Sequence, residues 1–166
     1  GEKTYRNFVK TGSHTAETVV TVERPVPVLK KKGEQEVTDA GREEVVLYRV
    51  VVNPAEEDLD ESSDSLLLAD TLRADFQNLR YLSLVKDSVA FYRYDSGKEG
   101  GKGEPIENDE RYQYQYNAQS YTAAFTVPDE TAFVLEYRVR YALSEEGKKK
   151  EHITLTNEIV LNGKRF

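Results

Sequence analysis

The apolar residues of this chain fall in short runs that alternate with polar residues along most of its length. Val, Tyr, Thr and Leu dominate these runs, and turn-forming residues separate them at intervals of about 8 to 12 residues. A period of two places every second side chain on the same face of a β-strand. The pattern therefore predicts an all-β protein, either a sandwich or a barrel, with roughly nine strands.

The clearest strand signal is the nearly continuous apolar run at residues 45–53, which predicts a central strand. A run that begins at Val19 is interrupted by Pro25 and Pro27, and proline restricts such a segment to a sheet edge or to a crossing between sheets. Other strands are predicted at residues 65–70, 82–94, 112–116, 121–127, 132–142 and 153–161.

Two segments depart from this alternation. Leu72, Phe76 and Leu79 have helical spacing, which predicts one or two helical turns within residues 71–80. Residues 98–109 combine three glycines and a proline with many charges, too polar a composition to bury its own backbone. We expect this second segment to be an exposed connection.

The composition narrows the classes of function. There are 23 Lys and Arg against 30 Asp and Glu, so the net charge of −7 would repel a phosphate backbone, and we expect no nucleic-acid partner. No run approaches the roughly 20 apolar residues that cross a bilayer, so we expect no membrane insertion in this segment. Without Cys and with only two His, the chain has few residues for disulfides, thiol chemistry or metal binding, and we expect neither a metal site nor a cofactor.

The length of 166 residues suits one domain with appendages. Residues 5–12 and 155–163 echo each other, because each segment has an Asn that opens an apolar stretch closed by Gly. If the echo marks a repeat, residues 1–24 are the terminal strands of a preceding module or an extra hairpin, and residues 25–166 form the main domain. Coincidence between two Asn-containing strands is the alternative. The chain starts at Gly1 and contains no Met, so we expect it to derive from a longer polypeptide.

Several segments in order resemble a known family. They lie at residues 27–30, 46–54, 66–72 and 153–159, with further similarity at 87–92 and 133–139. Together they are similar to the Ig-like repeat modules of Gram-positive cell-surface adhesins and pilins, the collagen-adhesin-like group. The resemblance implies an Ig-like β-sandwich of roughly seven to nine strands with Greek-key connections.

The resemblance also implies a role for the chain. It is that of a structural or adhesive module, without enzymatic turnover, in an extracellular protein attached to the cell wall. Tandem sister domains and a host or matrix protein or a glycan as ligand belong to the same expectation.

Members of this family often carry an intramolecular Lys–Asn isopeptide bond, which an acidic residue promotes. Carried over by position, the resemblance implies Lys30 and Asn157 as the crosslinked pair and Asp70 as the catalytic acid. Lys31 and Lys32 follow Lys30 directly. Alternation with Val26 and Val28 favours Lys30 as the inward residue, and Lys31 stays open as the nucleophile.

Burial makes this chemistry coherent. An apolar interior favours the neutral amine of a lysine and the protonated form of a carboxyl group, so folding would prepare both the nucleophile and the acid. Each residue also has a simpler interpretation. Lys30 would be a solvated strand end, Asp70 the N-cap of a short helical turn, and Asn157 a partner for backbone groups at a strand irregularity.

A second candidate site is the stripe of Tyr112, Tyr114 and Tyr116, which alternate with glutamines along one strand face. Aromatic faces stack on sugar rings, so the stripe predicts, as an alternative function, a carbohydrate-binding module. Such a strand more often packs its tyrosines on a core, which is the interpretation we favour.

Overall fold

A computed structural model describes residues 3–11, 14–22, 29–37, 44–150, 152–162 and 164–165, with side chains described for residues 45–150 and 153–162. Within these ranges the chain forms thirteen strands, one short α-helix and three 3₁₀ turns. The strands are β1 (Lys3–Thr11), β2 (His14–Val22), β3 (Leu29–Val37), β4 (Glu44–Val52), β5 (Ser65–Ala74), β6 (Leu79–Leu84), β7 (Ala90–Tyr94), β8 (Lys102–Pro105), β9 (Gln113–Asn117), β10 (Thr122–Pro128), β11 (Phe133–Leu143), β12 (His152–Leu161) and β13 (Lys164–Arg165). The helix is α1 (Glu145–Lys148), and the 3₁₀ turns are Phe76–Asn78, Lys86–Ser88 and Glu99–Gly101.

The strands form two sheets. The first has the order β1-β2-β12-β5-β10-β9, and β13 pairs with the end of β12. The second has the order β3-β4-β11-β7-β8, and β6 pairs with β11. Neighbouring strands are antiparallel in the described pairings except for β2 and β12, which run parallel. The predicted all-β sandwich is confirmed.

The core lies between the inner faces of the two sheets, because both contribute alternating buried residues to one apolar cluster. The largest contributions come from the strands that the sequence pattern identified most clearly. These are Val46, Tyr48, Val50 and Val52 from β4; Phe133, Leu135, Tyr137, Val139 and Tyr141 from β11; and Ile153, Leu155, Ile159 and Leu161 from β12.

The helical turns predicted within residues 71–80 are largely absent, since β5 continues to Ala74 and only Phe76–Asn78 forms a single 3₁₀ turn. Leu72 continues the two-residue alternation of Leu66 and Leu68 and is buried with them. The helical spacing of the leucines was therefore misleading here, because pairing with β10 and β12 decides the conformation. Phe76 is exposed rather than on a buried helix face.

The exposed connection predicted for residues 98–109 is also wrong in part. It contains a 3₁₀ turn and strand β8, which pairs with β7. Gly100 and Gly101 adopt positive φ angles of 65° and 75°, a region that favours glycine, and they reverse the chain before β8. The Nζ of Lys102 then donates to the buried carboxylate of Glu136 at 2.9 Å and attaches this segment to the sheet.

The segment before residue 24 adds two strands to the first sheet. β1 and β2 form an antiparallel pair, and β2 runs beside β12 from the Thr15–His152 register pair to the Val22–Ile159 pair. The predicted division of the chain near residue 24 stays a prediction. No helix in the described part of the chain has the length and apolar character that a bilayer crossing needs.

Candidate functional site

Strand β5 brings an acid into the core. Its inward positions are Leu66, Leu68, Asp70 and Leu72, so Asp70 occupies a place in a row that is otherwise leucine. The side chain follows the alternation of its strand and has an exposed fraction of only 3%. A carboxyl group in such a position is costly unless it has polar partners.

Strand β12 supplies an amide to the same region. Its inward positions carry Ile153, Leu155, Asn157, Ile159 and Leu161, and Asn157 is completely buried at their centre. In the antiparallel register of β12 with β5, Asn157 lies opposite Leu72 and Ile159 lies opposite Asp70. Asp70 and Asn157 are therefore diagonal neighbours on the inner face of one sheet.

The facing sheet completes the group with Tyr137, at the centre of β11. Its hydroxyl donates a hydrogen bond to Oδ2 of Asp70 and accepts one from Nδ2 of Asn157 at 3.0 Å. We call Asp70, Tyr137 and Asn157 the buried polar cluster. It links the two sheets through the core, and its three side chains are among the least exposed of the described residues.

The environment of this cluster is apolar and dry. The gap beside Asp70 and Tyr137 is lined by Leu72, Leu84, Tyr116, Tyr121 and Ala123, and it has no room for a water molecule. Oδ1 of Asn157 is buried and accepts no hydrogen bond from any described residue. An unsatisfied buried acceptor destabilises the fold by about 1–3 kcal/mol, so a hydrogen bond to this carbonyl oxygen would be favourable.

Two members of the cluster, Asp70 and Asn157, are predicted from the sequence, and Tyr137 is not. Asp70 and Asn157 both occupy buried positions on adjacent strands, as the crosslink prediction required. The N-cap interpretation of Asp70 is wrong, because Asp75 caps the 3₁₀ turn by accepting from the backbone N–H of Gln77. One feature of the sequence could have identified Tyr137. It is a tyrosine in an alternating apolar row, and a buried tyrosine hydroxyl needs a hydrogen-bond partner.

The third predicted residue, Lys30, lies on β3, whose side chains are outside the described ones. The backbone register is described, and it pairs Lys30 with Val51 and Lys31 with Val50. Val50 is 1% exposed and belongs to the core cluster, whereas Val51 is partly exposed and does not. Residues opposite each other in an antiparallel pair share a face of the sheet, and position 31 rather than position 30 is in register with the inward row of β4.

This inward row leads toward the cluster. Position 31 is opposite Val50, which is opposite Leu135 on β11. The next inward row contains Tyr48 and Tyr137, whose rings stack with centroids 5.5 Å apart. Position 31 is thus two strands across the sheet, about 10 Å, and two residues along it from Tyr137.

The tyrosine stripe lies on β9 and the residue before it, and its Tyr116 borders the gap beside Asp70 and Tyr137. The rings of Tyr112, Tyr114 and Tyr116 are partly buried and pack against the core cluster. Tyr112 meets Phe133 edge-on at 5.3 Å between centroids, and burial raises the pKa of the Tyr112 hydroxyl. These contacts favour the packing interpretation of the stripe. The carbohydrate site stays a prediction.

An open groove nevertheless borders this strand. It has a volume of about 1120 Å³, and its walls come from β9 and β10 on one side and from the end of β6 on the other. Tyr114, Tyr116 and Lys86 are among the lining residues, together with the polar side chains of Gln115 and Asn117. In the described part of the chain, no group of three or more His, Asp or Glu residues is placed to hold a metal ion.

Comparison with known proteins identifies the fold. No protein-family model matches the sequence, and no curated protein matches it. Among solved structures, the collagen-binding domain of the surface protein RspB from Erysipelothrix rhusiopathiae superposes with a TM-score of 0.51 at 13% identity. The match covers 96% of this chain and 49% of that one, so the chain spans about half the length of the RspB domain. The predicted resemblance is confirmed as a shared fold.

Smaller collagen-binding units from the same class of protein match with somewhat lower scores. The collagen-binding subdomain of the Enterococcus faecalis surface protein ACE gives a TM-score of 0.49 at 15% identity, covering 84% of this chain and 97% of that one. The collagen-binding domain of a Staphylococcus aureus adhesin gives 0.46 at 11% identity, covering 80% and 96%. At 13% identity, the match to the RspB domain establishes the fold alone.

Proposed function

We propose that this chain is an adhesive module of a wall-attached Gram-positive surface protein and that an internal Lys–Asn isopeptide bond ties its sandwich together. The observation that carries the crosslink is the buried polar cluster, in which Asp70 and Asn157 lie on neighbouring strands within a dry core. Both residues occupy the positions that the family resemblance implies for the acid and the amide.

We propose Lys31 rather than Lys30 as the nucleophile. The register opposite Val50 supports Lys31, because Val50 faces the core, whereas Lys30 is opposite the partly exposed Val51. A lysine in the inward row of β3 would have to be neutral or paired with an acid, and Asp70 is the acid that the facing sheet brings into the core.

The reaction needs no co-reactant. The neutral amine of Lys31 attacks Cγ of Asn157, the new C–N bond forms, and the bond to Nδ2 breaks with release of ammonia. The amine loses one proton and the departing nitrogen gains one, so atoms and charge balance. Asp70 exchanges these protons as the acid and base of the reaction.

The fold holds the reacting groups in alignment for this reaction, which occurs once per chain. Groups held in reactive alignment can reach effective molarities of about 10⁵ M or more, so even an amide becomes accessible to an amine. The gap beside Asp70 has no room for a water molecule, which disfavours hydrolysis of the amide as a competing reaction.

Variants separate this proposal from a purely structural role of the cluster. Asp70→Asn and Asn157→Ala are each expected to give a polypeptide of full mass, whereas the unaltered chain lacks the mass of one ammonia under denaturing conditions. Asn78→Ala is the matched control, since Asn78 is also buried but lies outside the cluster. An unaltered chain with the full mass of its sequence would remove the crosslink from the proposal and leave the adhesin fold.

For the ligand, we propose a matrix protein with an extended binding surface, bound along the groove beside β9. The support is the fold shared with collagen-binding domains and the size of the groove. A surface-binding assay on immobilised collagen tests it. Tyr114→Ala should weaken binding and Tyr81→Ala, away from the groove lining, should not. Negligible binding of the unaltered chain to collagen would contradict collagen as the ligand.

The second candidate is a glycan in the same groove, because Tyr114 and Tyr116 accompany the amides of Gln115 and Asn117 there. A glycan array decides between the two ligands. Binding to a defined sugar that Tyr114→Ala abolishes would favour the glycan, and silence across a broad array would exclude it.

A further inference from the structure

The side chain of Asn157 makes its hydrogen bond to Tyr137 rather than to Asp70. Its Nδ2 donates to the tyrosine hydroxyl at 3.0 Å, and the same hydroxyl donates to Oδ2 of Asp70. The acid and the amide nitrogen are thus joined by a chain of two hydrogen bonds through one oxygen atom. Nδ2 is the atom that leaves as ammonia in the proposed crosslink, so Tyr137 touches a reacting atom.

We infer that Tyr137 is a catalytic residue of the crosslinking reaction and that its hydroxyl passes a proton from Asp70 to the departing nitrogen of Asn157. This inference rests on the proposed function. It adds to the acid a second group, on the opposite sheet, without which the acid does not reach the leaving group.

The relay follows from what each atom requires during the reaction. The amide nitrogen of Asn157 is a poor proton acceptor while its lone pair is delocalised into the carbonyl group. Attack of the amine at Cγ makes that carbon tetrahedral and frees the lone pair. Both hydrogen bonds then reverse: the O–H of Tyr137 turns from Asp70 to Nδ2, and a protonated Asp70 donates to the tyrosine oxygen and replaces the proton that the tyrosine gives up.

The relay neither takes up nor releases a net proton. Asp70 becomes a carboxylate when it protonates the tyrosine oxygen, and it accepts one proton from the attacking nitrogen of the lysine. The tyrosine ends as it began, with its hydroxyl protonated. The net transfer is one proton from the lysine nitrogen to ammonia, with no external acid or base.

The surroundings hold Tyr137 in the orientation that the relay needs. Its ring stacks on Tyr48 at 5.5 Å and lies 5.8 Å from the ring of Phe125, measured between centroids. Both neighbours are buried aromatic residues. The gap beside Asp70 and Tyr137 has no room for a water molecule, so water is not positioned there to take over the transfer.

The test measures the rate of crosslinking in the full chain. The protein is made in a short cell-free synthesis, samples are unfolded in acid at intervals, and mass spectrometry follows the loss of ammonia. We expect Tyr137→Phe, which keeps the ring and removes the hydroxyl, to slow the loss about a hundred-fold or more. Tyr141→Phe is the matched control, because Tyr141 is a buried tyrosine on the same inward row of β11, and its rate should stay native.

Folding is checked by near-ultraviolet circular dichroism and protease resistance. A folded Tyr137→Phe that loses ammonia at the native rate would overturn the relay while leaving the crosslink intact. If the unaltered chain itself keeps its full mass, the proposed crosslink fails, and the relay fails with it.

A variant that does not fold still leaves a decisive measurement. A difluorinated tyrosine at position 137 keeps the hydroxyl and the ring shape but makes the hydroxyl more acidic. The relay predicts a changed crosslinking rate in this protein, since the more acidic hydroxyl gives up its proton more readily. A purely structural tyrosine predicts an unchanged rate, and that result would overturn the inference.

Discussion

The hydroxyl of Tyr137 lies 3.0 Å from Nδ2 of Asn157, although the two residues belong to opposite sheets of the sandwich. A polar contact in the middle of an apolar core is destabilising unless all its members are satisfied. Asn157 leaves its Oδ1 without a hydrogen bond from the described residues, and Asp70 adds an acid to the same site. The proposed crosslink would give this concentration of costly groups on central strands a chemical role.

The identity of the lysine gives the first prediction. Lys31→Met removes the amine and keeps an apolar side chain of similar length, so we expect this variant to retain the full mass of its sequence. Lys30→Met is the matched control and should still lose one ammonia, because position 30 is opposite the partly exposed Val51. Intact-mass spectrometry under denaturing conditions reads both outcomes. The reverse pattern would return the nucleophile to Lys30.

The second prediction concerns stability. A bond between residues 31 and 157 closes most of the chain into a loop, and the loss of unfolded-state entropy is worth about 5 kcal/mol. Lys31→Met should therefore lower the free energy of unfolding by about that amount in guanidinium titrations, while Lys30→Met changes it by less than about 1 kcal/mol. Equal stability of the two variants would show that no covalent tie joins the strands.

A third prediction follows from the outer face of the second sheet. The buried carboxylate of Glu136 accepts from Nε of Arg49 at 2.7 Å and from Nζ of Lys102 at 2.9 Å. Burial alone would raise the pKa of Glu136, but the hydrogen bonds from Lys102 and Arg49 outweigh it and lower that pKa below its ordinary value of 4.5. The charged form is therefore favoured in the folded protein, and its stabilisation is present above pH 4.5 and lost as the pH falls through the lowered pKa.

Glu136→Gln should accordingly lower the free energy of unfolding by about 2 kcal/mol at neutral pH, since two charge-assisted hydrogen bonds are weakened. The difference from the unaltered chain should shrink as the pH falls below 4.5. Glu145→Gln provides the control, because its pair with Lys148 is exposed and worth little. Urea titrations across the acid range measure both, and a difference that grows toward low pH would contradict the assignment.

The fourth prediction concerns the packing of helix α1, which follows β11. Gly147 is buried, and a Cβ at this position would clash with the backbone carbonyl oxygen of Asn78. Gly147→Ala should therefore destabilise the fold by about 3 kcal/mol, near the upper end for overpacking. Gly97→Ala, in an exposed turn where the nearest atom belongs to a side chain, should cost less than about 1 kcal/mol. Thermal unfolding followed by circular dichroism compares them, and equal melting temperatures would contradict the close packing at Gly147.

The sequence predicted the fold best where one periodicity dominated. The run at residues 45–53 and the alternation at 132–142 became β4 and β11, the central strands of the second sheet. At Thr71–Ala74 the leucine spacing suited a helix as well as a strand, and only pairing with β12 decided between them. Strand β8 was missed because its glycines and charges indicate a loop, and its pairing with β7 and the contact of Lys102 with Glu136 are long-range.

The site was predictable to a similar extent. Asp70 and Asn157 were placed by their resemblance to family positions, and their burial follows from the alternation of β5 and β12. Tyr137 was not identified, because its role depends on how two sheets face each other, and no spacing within one strand encodes that. The assignment of Lys31 over Lys30 needed the register of β3 against β4, which a one-residue slip would invert.

The crosslink itself can be measured most directly by peptide mapping of the unaltered chain after denaturation and digestion. The account predicts one branched peptide that joins the segment containing Lys31 to the segment containing Asn157, lighter by one ammonia than the sum of its parts. Two separate linear peptides, with residue 157 still an amide and residue 31 a free amine, would contradict it.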